Sequence, residues 1–454
     1  MVKLDKKTRK HYVKVIQDSL ATDKSKVFRA TFLELHPFDQ AHLFSNFKDA
    51  ERRKCYELLT PEEIALLFEN LSTDHQILFF NEMDEDYSSE MLNKMFTDDV
   101  VMFLTEVNGE AASDILDTMD EEKAAKIEVL LSYEPETAGA VMTKEFVSVA
   151  STDTAENVIR ELREEAPGAE VIYYNYVVDQ VGTLVGVVSL RDLITAPPQE
   201  TIENIMSSRV VSVPDDMDQE EVAAVIQKYD LLAVPVISKQ SRLLGIVTVD
   251  DIIDIIEDET TEDFGEISAT KGATDINLSA YTAAKKRSPW IVTLMFLGLL
   301  TGGVINYFED TLEQVVMLAI FIPMIMDSAG NVGTQSLGVA VRGLALGTID
   351  QTDFWKMIRR EFGTGLMIGA ICMVSISIII PIFYNVTWLV GAIVGVSLLA
   401  TLSVSAVVGA VVPLAINKLK FDPAIASGPF ITTLNDITGL IIYFSIATAL
   451  LDSL

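Results

Sequence analysis

Cysteine, histidine and positive charge are scarce in this chain of 454 residues, and each shortage excludes a class of site. The two cysteines, Cys55 and Cys372, lie far apart in regions of different composition, which excludes a disulfide framework and a cysteine-based zinc site. The four histidines all precede residue 76, so no catalytic constellation is predicted and the chain is not expected to be an enzyme. Its 34 basic and 66 acidic residues give a net charge of −32, which excludes nucleic acid as a partner.

The acidic charge is confined to one part of the chain. Residues 1–284 hold 25 basic and 56 acidic side chains, whereas residues 285–454 hold 9 and 10 and are very apolar. Residues 1–11 are basic but have no apolar core, so they are not expected to be a secretory signal. The first part is therefore predicted to lie in water and the second in a lipid bilayer.

Five apolar segments are long enough to cross about 30 Å of hydrocarbon, which takes roughly 20 helical residues. They cover residues 288–307, 315–341, 357–384, 387–416 and 423–451. Basic residues precede the first segment and lie between the second and third and between the fourth and fifth, whereas the alternate loops have none. Because basic loops stay in the cytoplasm, a multi-pass protein of the cell (inner) membrane is predicted, with a cytoplasmic N-terminus and an extracytoplasmic C-terminus.

Two aspartates, Asp327 and Asp436, stand near the middle of the second and fifth segments. A carboxylate at bilayer depth costs roughly 2.5–3.5 kcal/mol on insertion scales, so such residues usually line an aqueous path. Since no lysine lies equally deep, a path for cations is predicted, with a buried ion pair or a protonated carboxyl as the alternative. The polar or small neighbours predicted to line this path are Asn331, Gly333, Gln335, Thr432 and Asn435.

Residues 138–256 contain a sequence of about 60 residues twice. The block Gly186-Val187-Val188-Ser189-Leu190-Arg191-Asp192-Leu193 recurs as Gly245-Ile246-Val247-Thr248-Val249-Asp250-Asp251-Ile252. Each copy is predicted to fold as β-α-β-β-α. This resembles a tandem pair of cystathionine-β-synthase (CBS) domains, at 136–200 and 201–257. The resemblance implies an adenine nucleotide such as ATP at Ser189, Arg191 and Asp192, although packing of the paired repeats explains these residues equally well.

Residues 1–135 are acidic and predicted to be helical throughout. Two short units begin on a capping signal, at Thr60-Pro61 and at Thr97, 37 residues apart. Similar units recur at Met83 and Met119, 36 residues apart. The spacing predicts a small all-α solenoid of four or five helix pairs.

The densest charge precedes the first membrane segment. Between Asp250 and Glu266 there are nine acids and no Lys or Arg. A solvated helix face explains such a run, but like charges at helical spacing also destabilise an isolated helix. Opposed carboxylates are oxygen ligands for hard divalent cations, so an acidic connecting helix that binds cations is predicted over residues 258–284.

Three sequence motifs resemble the MgtE family of magnesium channels. They are Pro323-x-x-x-Asp327-x-x-Gly330-Asn331-x-Gly333-x-Gln335, Arg342-Gly343-Leu344-Ala345-Leu346-Gly347, and Asp422-Pro423-Ala424-x-Ala426-Ser427-Gly428-Pro429-Phe430-x-Thr432-Thr433-x-x-Asp436-x-x-Gly439. The resemblance covers nearly the whole chain. It implies a multidomain membrane protein, with a helical solenoid, an α/β CBS pair, a connecting helix and a five-helix transmembrane domain over residues 285–454.

The same resemblance implies a homodimer in the bilayer with a pore between subunits, where Asp436, together with Asp327, holds hydrated Mg²⁺. It also implies that cytosolic acids sense Mg²⁺ and close the pore. The acids that match the family's sensor positions are Asp218, Glu220, Asp230, Asp250, Asp251, Asp254, Glu259, Glu262 and Asp263. The N-terminal domain departs from the pattern, because Met102 stands four residues after Asp98 where a second acid is expected.

The function predicted from these features is Mg²⁺-selective conduction into the cytoplasm, closed by cytosolic Mg²⁺, with Mn²⁺ and Co²⁺ as further candidate ions. One alternative is an exchanger whose Mg²⁺ flux requires a Na⁺ or H⁺ gradient. The other is a membrane-anchored nucleotide or cation sensor that transports nothing, which leaves Asp327 and Asp436 unexplained.

Overall fold

The computed structural model describes residues 9–107, 109–165, 168–270, 273, 278–345, 354–419 and 426–450. The chain divides into two compact units, Met1–Ile255 and Ile256–Leu454. Several predicted features lie outside the described residues: the motif residues Leu346 and Gly347, Lys420 among the basic residues between the fourth and fifth segments, the motif residues Asp422 to Ala424, and the end of the last segment at Leu451.

The first part of the cytosolic unit is a series of short helices. Within the described residues these are α1 Arg9–Ala21, α2 Ser25–Phe32, α3 Pro37–Phe44, α4 Asp49–Leu58, α5 Pro61–Phe68, α6 Thr73–Phe80, α7 Glu85–Leu92, α8 Thr97–Glu106, α9 Gly109–Thr118 and α10 Glu121–Leu131. The predicted helix starts are confirmed at α5, where Thr60 and Glu63 form a capping box, and at α8, which begins at Thr97. The predicted cap is not found at α8, because its N-cap is Phe96 and no side chain caps it. Buried phenylalanines such as Phe44, Phe68 and Phe103 form the core that holds these short helices together.

Two three-stranded sheets follow, one in each repeat. The first repeat contains α11 Ala138–Val141, β1 Phe146–Ala150, α12 Ala155–Glu165, β2 Val171–Val178, β3 Leu184–Ser189 and α13 Leu190–Thr195. The second contains α14 Ile202–Ile205, β4 Val213–Pro214, α15 Gln219–Tyr229, β5 Ala233–Ile237, β6 Leu243–Thr248 and α16 Val249–Ile267. In each sheet the first two strands are parallel and the last two antiparallel. The predicted β-α-β-β-α order is confirmed in both repeats.

The two repeats interlock through matching residues. Met142 of the first repeat packs on Gly245 of β6, and Met206 packs on Gly186 of β3. Backbone bridges join Thr143 to Ile246 and Val187 to Ser207. Both glycines occupy the same position of the repeated block, so the sequence repeat corresponds to a pair of reciprocal contacts.

The connecting helix differs in its bounds from the prediction. Instead of covering 258–284, α16 begins at Val249, directly after β6, and ends at Ile267. A new helix then begins at Ala280, where the Ser279 hydroxyl accepts a hydrogen bond from the Thr282 amide at 3.1 Å. The prediction followed the charge run and overlooked this capping signal.

Five helices of the second unit are long and apolar enough to cross a membrane, as predicted. The helices of this unit are α17 Ala280–Tyr307, α18 Glu309–Gln314, a 3₁₀ turn Val316–Phe321, α19 Ile322–Ala345, α20 Phe354–Tyr384, α21 Trp388–Lys418 and α22 Gly428–Ala449. Helices α20 and α21 approach closely at Gly365, Gly369, Gly391 and Gly395, where an added Cβ would lie within 3 Å of the opposite helix. Such small-residue contacts are the usual basis of helix packing in lipid.

Candidate functional site

Helix α19 carries a row of polar side chains on the surface of the membrane unit. Asp327, Asn331 and Gln335 are spaced four residues apart, which places them on one helix face, and all three are exposed. This row is called the polar stripe below. Because the bilayer core does not solvate such groups, the stripe requires contact with water or with another protein surface.

Asp436 lies on the neighbouring helix α22, half-buried beside Thr432 and Thr433. Its Oδ1 atom is buried without a hydrogen-bond partner in the described structure. The hydroxyls of Thr432 and Thr433 donate to carbonyls of their own helix, those of Gly428 and Pro429, at 2.9 Å. Both hydroxyl protons are therefore used within the helix, and neither is donated to Asp436. The Asp436 carboxylate stays available to a cation.

Asp327 lies on α19 and Asp436 on α22. Helices α19 and α22 are in contact at Gly330, where an added Cβ would lie 2.6 Å from the Thr432 side chain. The structure therefore brings Asp327 and Asp436 to adjoining helices, as a shared cation path requires.

Two of the residues predicted to line the path are instead buried inside the helix bundle. Asn435 is 0% exposed, and an added Cβ on Gly333 would lie 1.9 Å from its Nδ2 atom. Gly333 also packs on Gly409 of α21. Asn435 and Gly333 thus sit at the junction of α19, α21 and α22 and hold these helices together, and their predicted role in lining the path stays a prediction.

The sequence interpretation missed one membrane carboxylate, Glu361 of α20, which is 4% exposed. It accepts a hydrogen bond from the Ser336 hydroxyl at 2.7 Å and pairs with the Arg360 guanidinium at 2.9 Å. Glu361 thus ties α20 to the inner part of α19 and is satisfied within the chain. An acid next to an arginine near a helix start was the signal available in the sequence.

A second carboxylate site lies in the cytosolic unit, formed by Asp98, Glu170 and Asp251. One oxygen of each lies within 4.8 Å of the others, which makes this trio the group with metal-binding spacing among the described residues. Oδ1 of Asp98 and Oε2 of Glu170 are buried without a hydrogen-bond partner in the described structure. The trio is called the acid cluster below. Its hard oxygen donors suit Mg²⁺ or Ca²⁺.

The electrostatics of the acid cluster are unfavourable without a cation. Burial, followed by the charge of Asp251, raises the pKa of Asp98 well above its usual range. Burial and the neighbouring Asp98 raise the pKa of Glu170 to about 9. Burial also raises the pKa of Asp251 to about 6, although its hydrogen bond from Thr248 acts in the opposite direction. A bound dication would offset this repulsion.

Two helices and a loop bring the acid cluster together. Asp98 lies in the first turn of α8, Asp251 in the first turn of α16, and Glu170 just before β2. The Thr97 hydroxyl donates to Glu145 at 2.6 Å, and the buried Thr143 hydroxyl donates to the same carboxylate at 2.9 Å. Glu145 therefore fixes the start of α8 against the first repeat.

Of the predicted sensor acids, Asp251 alone lies in the acid cluster. Asp218 caps α15, where its carboxylate accepts from the Glu220 amide at 2.8 Å, and Asp230 ends that helix in a left-handed conformation. The other predicted acids, Asp250, Asp254, Glu259, Glu262 and Asp263, are spread along α16. Within the described part of a single chain these acids form no further three-acid group, so their role stays a prediction. Asp98 and Glu170 were absent from the predicted ligands.

The predicted nucleotide residues lie at the end of β3. The Ser189 hydroxyl donates to Asp192 at 2.6 Å and accepts from the Asp192 amide at 3.1 Å, capping α13. Arg191 and Asp192 are exposed. The cap explains Ser189 and Asp192 structurally, and it also holds a hydroxyl and a carboxylate in a fixed position at the surface.

The fold and the two sites define a class of protein: a multi-pass membrane transporter for divalent cations, with a cytosolic domain that contains paired CBS domains. Family models support each part. They match the MgtE intracellular N domain at residues 35–136, CBS domains at 138–198 and 202–258, and the MgtE divalent cation transporter domain at 322–446. The chain belongs to the MgtE family, which is a family of transporters and not of enzymes.

Similar proteins extend over nearly the whole chain. The magnesium transporter MgtE of Bacillus subtilis is 40% identical over 435 residues, 96% of each chain. That of Enterococcus faecalis is 44% identical over 436 residues, with the same coverage. A crystal structure of the cytosolic domain of the Mg²⁺ channel MgtE in complex with ATP is 36% identical, covers 54% of this chain and 99% of that one, and has a TM-score of 0.51.

Proposed function

We propose that this protein is a homodimeric channel that conducts hydrated Mg²⁺ into the cytoplasm and closes when Mg²⁺ binds its cytosolic acids. The observation that carries the proposal is the polar stripe on the surface of the membrane unit, next to Asp436. A stripe that includes a carboxylate does not face lipid. A second copy of the chain would cover it and leave an aqueous path between the two subunits.

The chemistry of Mg²⁺ suits such a path. Mg²⁺ loses its water shell reluctantly and is bound through one or two carboxylates and several waters. Two Asp436 side chains facing each other across a dimer would attract the hydrated ion, and Asn331 and Gln335 would hydrogen-bond its water. An inside-negative potential contributes about 2.3 kcal/mol per charge per 100 mV, so entry needs no ATP hydrolysis.

Closure is assigned to the acid cluster. Mg²⁺ at Asp98, Glu170 and Asp251 would remove their mutual repulsion and fix the start of α16. The far end of this helix, at Ile267, packs against Leu337 and Ile431 of the membrane unit. Helix α16 is unbroken from Val249 to Ile267, so it joins the cytosolic acids to the membrane unit along the chain. In this topology the C-terminus of the chain lies outside the cell.

A nucleotide site in the first CBS repeat is proposed on a separate observation. The relative's cytosolic domain was crystallised with ATP, and Ser189, Arg191 and Asp192 form an exposed group here with a hydroxyl, a cation and a carboxylate. ATP would act as a regulator of the pore, since the predicted path for Mg²⁺ does not involve it.

The test is Mg²⁺ uptake by proteoliposomes that contain the full-length protein, with a potential imposed and no Na⁺ or H⁺ gradient. We expect wild-type flux, and at least about hundredfold less flux in Asp436→Asn, because the attraction for the dication is lost. Ser375→Ala is the control, since it removes an exposed hydroxyl of α20 that bonds only its own helix. Wild-type flux in Asp436→Asn would refute the pore role. Flux that requires a Na⁺ or H⁺ gradient would establish that the protein is an exchanger. The absence of any wild-type flux would indicate a sensor that transports nothing.

A further inference from the structure

Lys123 and Lys144 of the cytosolic unit are half-buried, and each donates to a backbone carbonyl. Lys123 of α10 donates to the carbonyl of Met95, and Lys144 donates to that of Leu244 at 2.6 Å. A half-buried ammonium is costly unless opposite charge surrounds it. The acids that surround each lysine therefore indicate what each amine does.

The two amines differ in the acids they face. Burial lowers the pKa of the Lys144 amine, and the charge of Glu145 opposes that shift. Burial lowers the pKa of the Lys123 amine, and the charges of four acids, Glu145, Glu69, Asp98 and Asp99, oppose that shift. Its bond to Met95 explains this difference, because Met95 lies just before the first turn of α8, which carries Asp98 and Asp99.

We infer that Lys123 is a tethered counter-ion of the acid cluster, which opposes the binding of Mg²⁺ and so sets the cytosolic concentration at which the site fills. The inference rests on the proposed role of the acid cluster as the inhibitory Mg²⁺ site. The ammonium partly neutralises the carboxylates when no dication is bound. When Mg²⁺ arrives, the same ammonium repels it in a partly dry environment, where charges interact more strongly than in water.

The composition of α8 also weakens the binding of Mg²⁺ at the acid cluster. The residue four positions after Asp98 is Met102, which is 59% exposed and supplies no ligand. The site thus combines a limited number of acids with an internal cation. Both features raise the concentration of Mg²⁺ needed to occupy it.

If Lys123 had a purely structural role, its removal would have the opposite effect on Mg²⁺ binding. If Lys123 served only to tie α10 to the start of α8, its loss would loosen the site and weaken Mg²⁺ binding. If it is a counter-ion, its loss strengthens Mg²⁺ binding. The sign of the change therefore separates the two roles.

The experiment compares three variants of the full-length protein in proteoliposomes. Lys123→Met removes the charge and keeps the apolar stem, Lys123→Arg keeps the charge, and Lys144→Met is the matched control for losing a half-buried lysine. Two quantities are measured as cytosolic-side Mg²⁺ is varied: the concentration that halves flux, and the concentration that protects the cytosolic unit from limited proteolysis. We expect both to fall about tenfold in Lys123→Met, and to stay within about twofold of wild type in the other variants.

An unchanged or higher Mg²⁺ requirement in Lys123→Met would overturn the inference. Lys123→Gln carries the same test if Lys123→Met folds poorly, because it also removes the charge. Asp251→Asn is run in parallel. If Asp251→Asn retains normal inhibition, the proposed sensor role of the cluster itself fails. If Asp251→Asn loses inhibition while Lys123→Met behaves as wild type, the sensor role of the acid cluster is supported. The counter-ion role of Lys123 is then refuted.

Discussion

The two CBS repeats carry the same motif and use it differently. In the first repeat the Ser189 hydroxyl donates to Asp192 at 2.6 Å, and in the second the Thr248 hydroxyl donates to Asp251 at 2.5 Å. The local hydrogen bond is thus the same. Yet Asp192 is exposed, whereas Asp251 is half-buried and belongs to the acid cluster.

The difference comes from what surrounds each motif. Helix α13 ends at Thr195, directly before Ala196 and two prolines, Pro197 and Pro198, which cannot continue a helix. No proline follows the second motif, so α16 continues to Ile267. Asp251 also meets Asp98 of α8, whereas Asp192 faces solvent. The shared motif therefore determines the geometry of the carboxylate. The residues around the motif determine which ligand that carboxylate binds.

The largest expected difference between the two motifs is tested by neutralising Asp192 and Asp251 separately. We expect Asp251→Asn to raise the half-inhibitory Mg²⁺ concentration at least about thirtyfold, because a charged oxygen ligand is lost while the side-chain shape is kept. Asp192→Asn should change it by less than about twofold in the absence of nucleotide. Mg²⁺ flux into proteoliposomes, with cytosolic-side Mg²⁺ varied, measures both.

The reverse result would contradict the division of roles. If Asp192→Asn impaired Mg²⁺ inhibition as strongly as Asp251→Asn, both motifs would serve the cation. A nucleotide titration on the same preparations completes the test, because Asp192→Asn should weaken ATP binding and Asp251→Asn should leave it intact.

The next prediction concerns pH, and it applies to the acid cluster together with Asp99, the neighbour of Asp98 in α8. Burial and neighbouring acids raise the pKa of Asp99 to about 8, as they raise those of Asp251 and Glu170 to about 6 and about 9. A carboxyl with a raised pKa stabilises the fold below its unfolded pKa of about 4 and loses that contribution as pH rises through the folded value. Without Mg²⁺, the cytosolic unit should therefore lose stability between about pH 4 and pH 9.

Mg²⁺ should restore this stability, and more so at high pH, where it does not compete with protons. We expect its stabilisation of the cytosolic transition to be greater by about 5 °C at pH 9 than at pH 5.5. Hydrogen exchange of α8 and α16 during a thermal ramp, with Mg²⁺ or EDTA, measures the effect. In Asp251→Asn the difference between the two pH values should shrink. An equal stabilisation at both pH values in wild type would count against a carboxylate site.

The sequence predicted the elements well because their signals are local. The capping box at Thr60 and the repeated glycine block each involve a few neighbouring residues, and the spans need only length and apolarity. Asp327 and Asp436 were identified for a similar reason, since a charge in an apolar segment needs no knowledge of its neighbours.

The parts that could not be predicted depend on contacts between distant residues. Asp98, Glu170 and Asp251 come from three separate elements, and no spacing in the sequence links them. Asn435 was assigned to the path because it adjoins Asp436 in sequence, but one residue along a helix turns a side chain by about 100°. That rotation places Asn435 inside the bundle, against Gly333.

The smallest predicted effect concerns the interlock of the repeats, where the same substitution meets different atoms. A Cβ on Gly245 would lie 2.6 Å from the Thr143 carbonyl oxygen, which is backbone, whereas a Cβ on Gly186 would lie 2.5 Å from the flexible Met206 side chain. We expect Gly245→Ala to cost about 1–3 kcal/mol of stability in the cytosolic unit and Gly186→Ala less than about 1 kcal/mol. Pulse proteolysis in urea measures both. Equal costs would indicate that the Thr143 backbone shifts as readily as the Met206 side chain. The two halves of the interlock would then be equally rigid, although one of them packs against backbone.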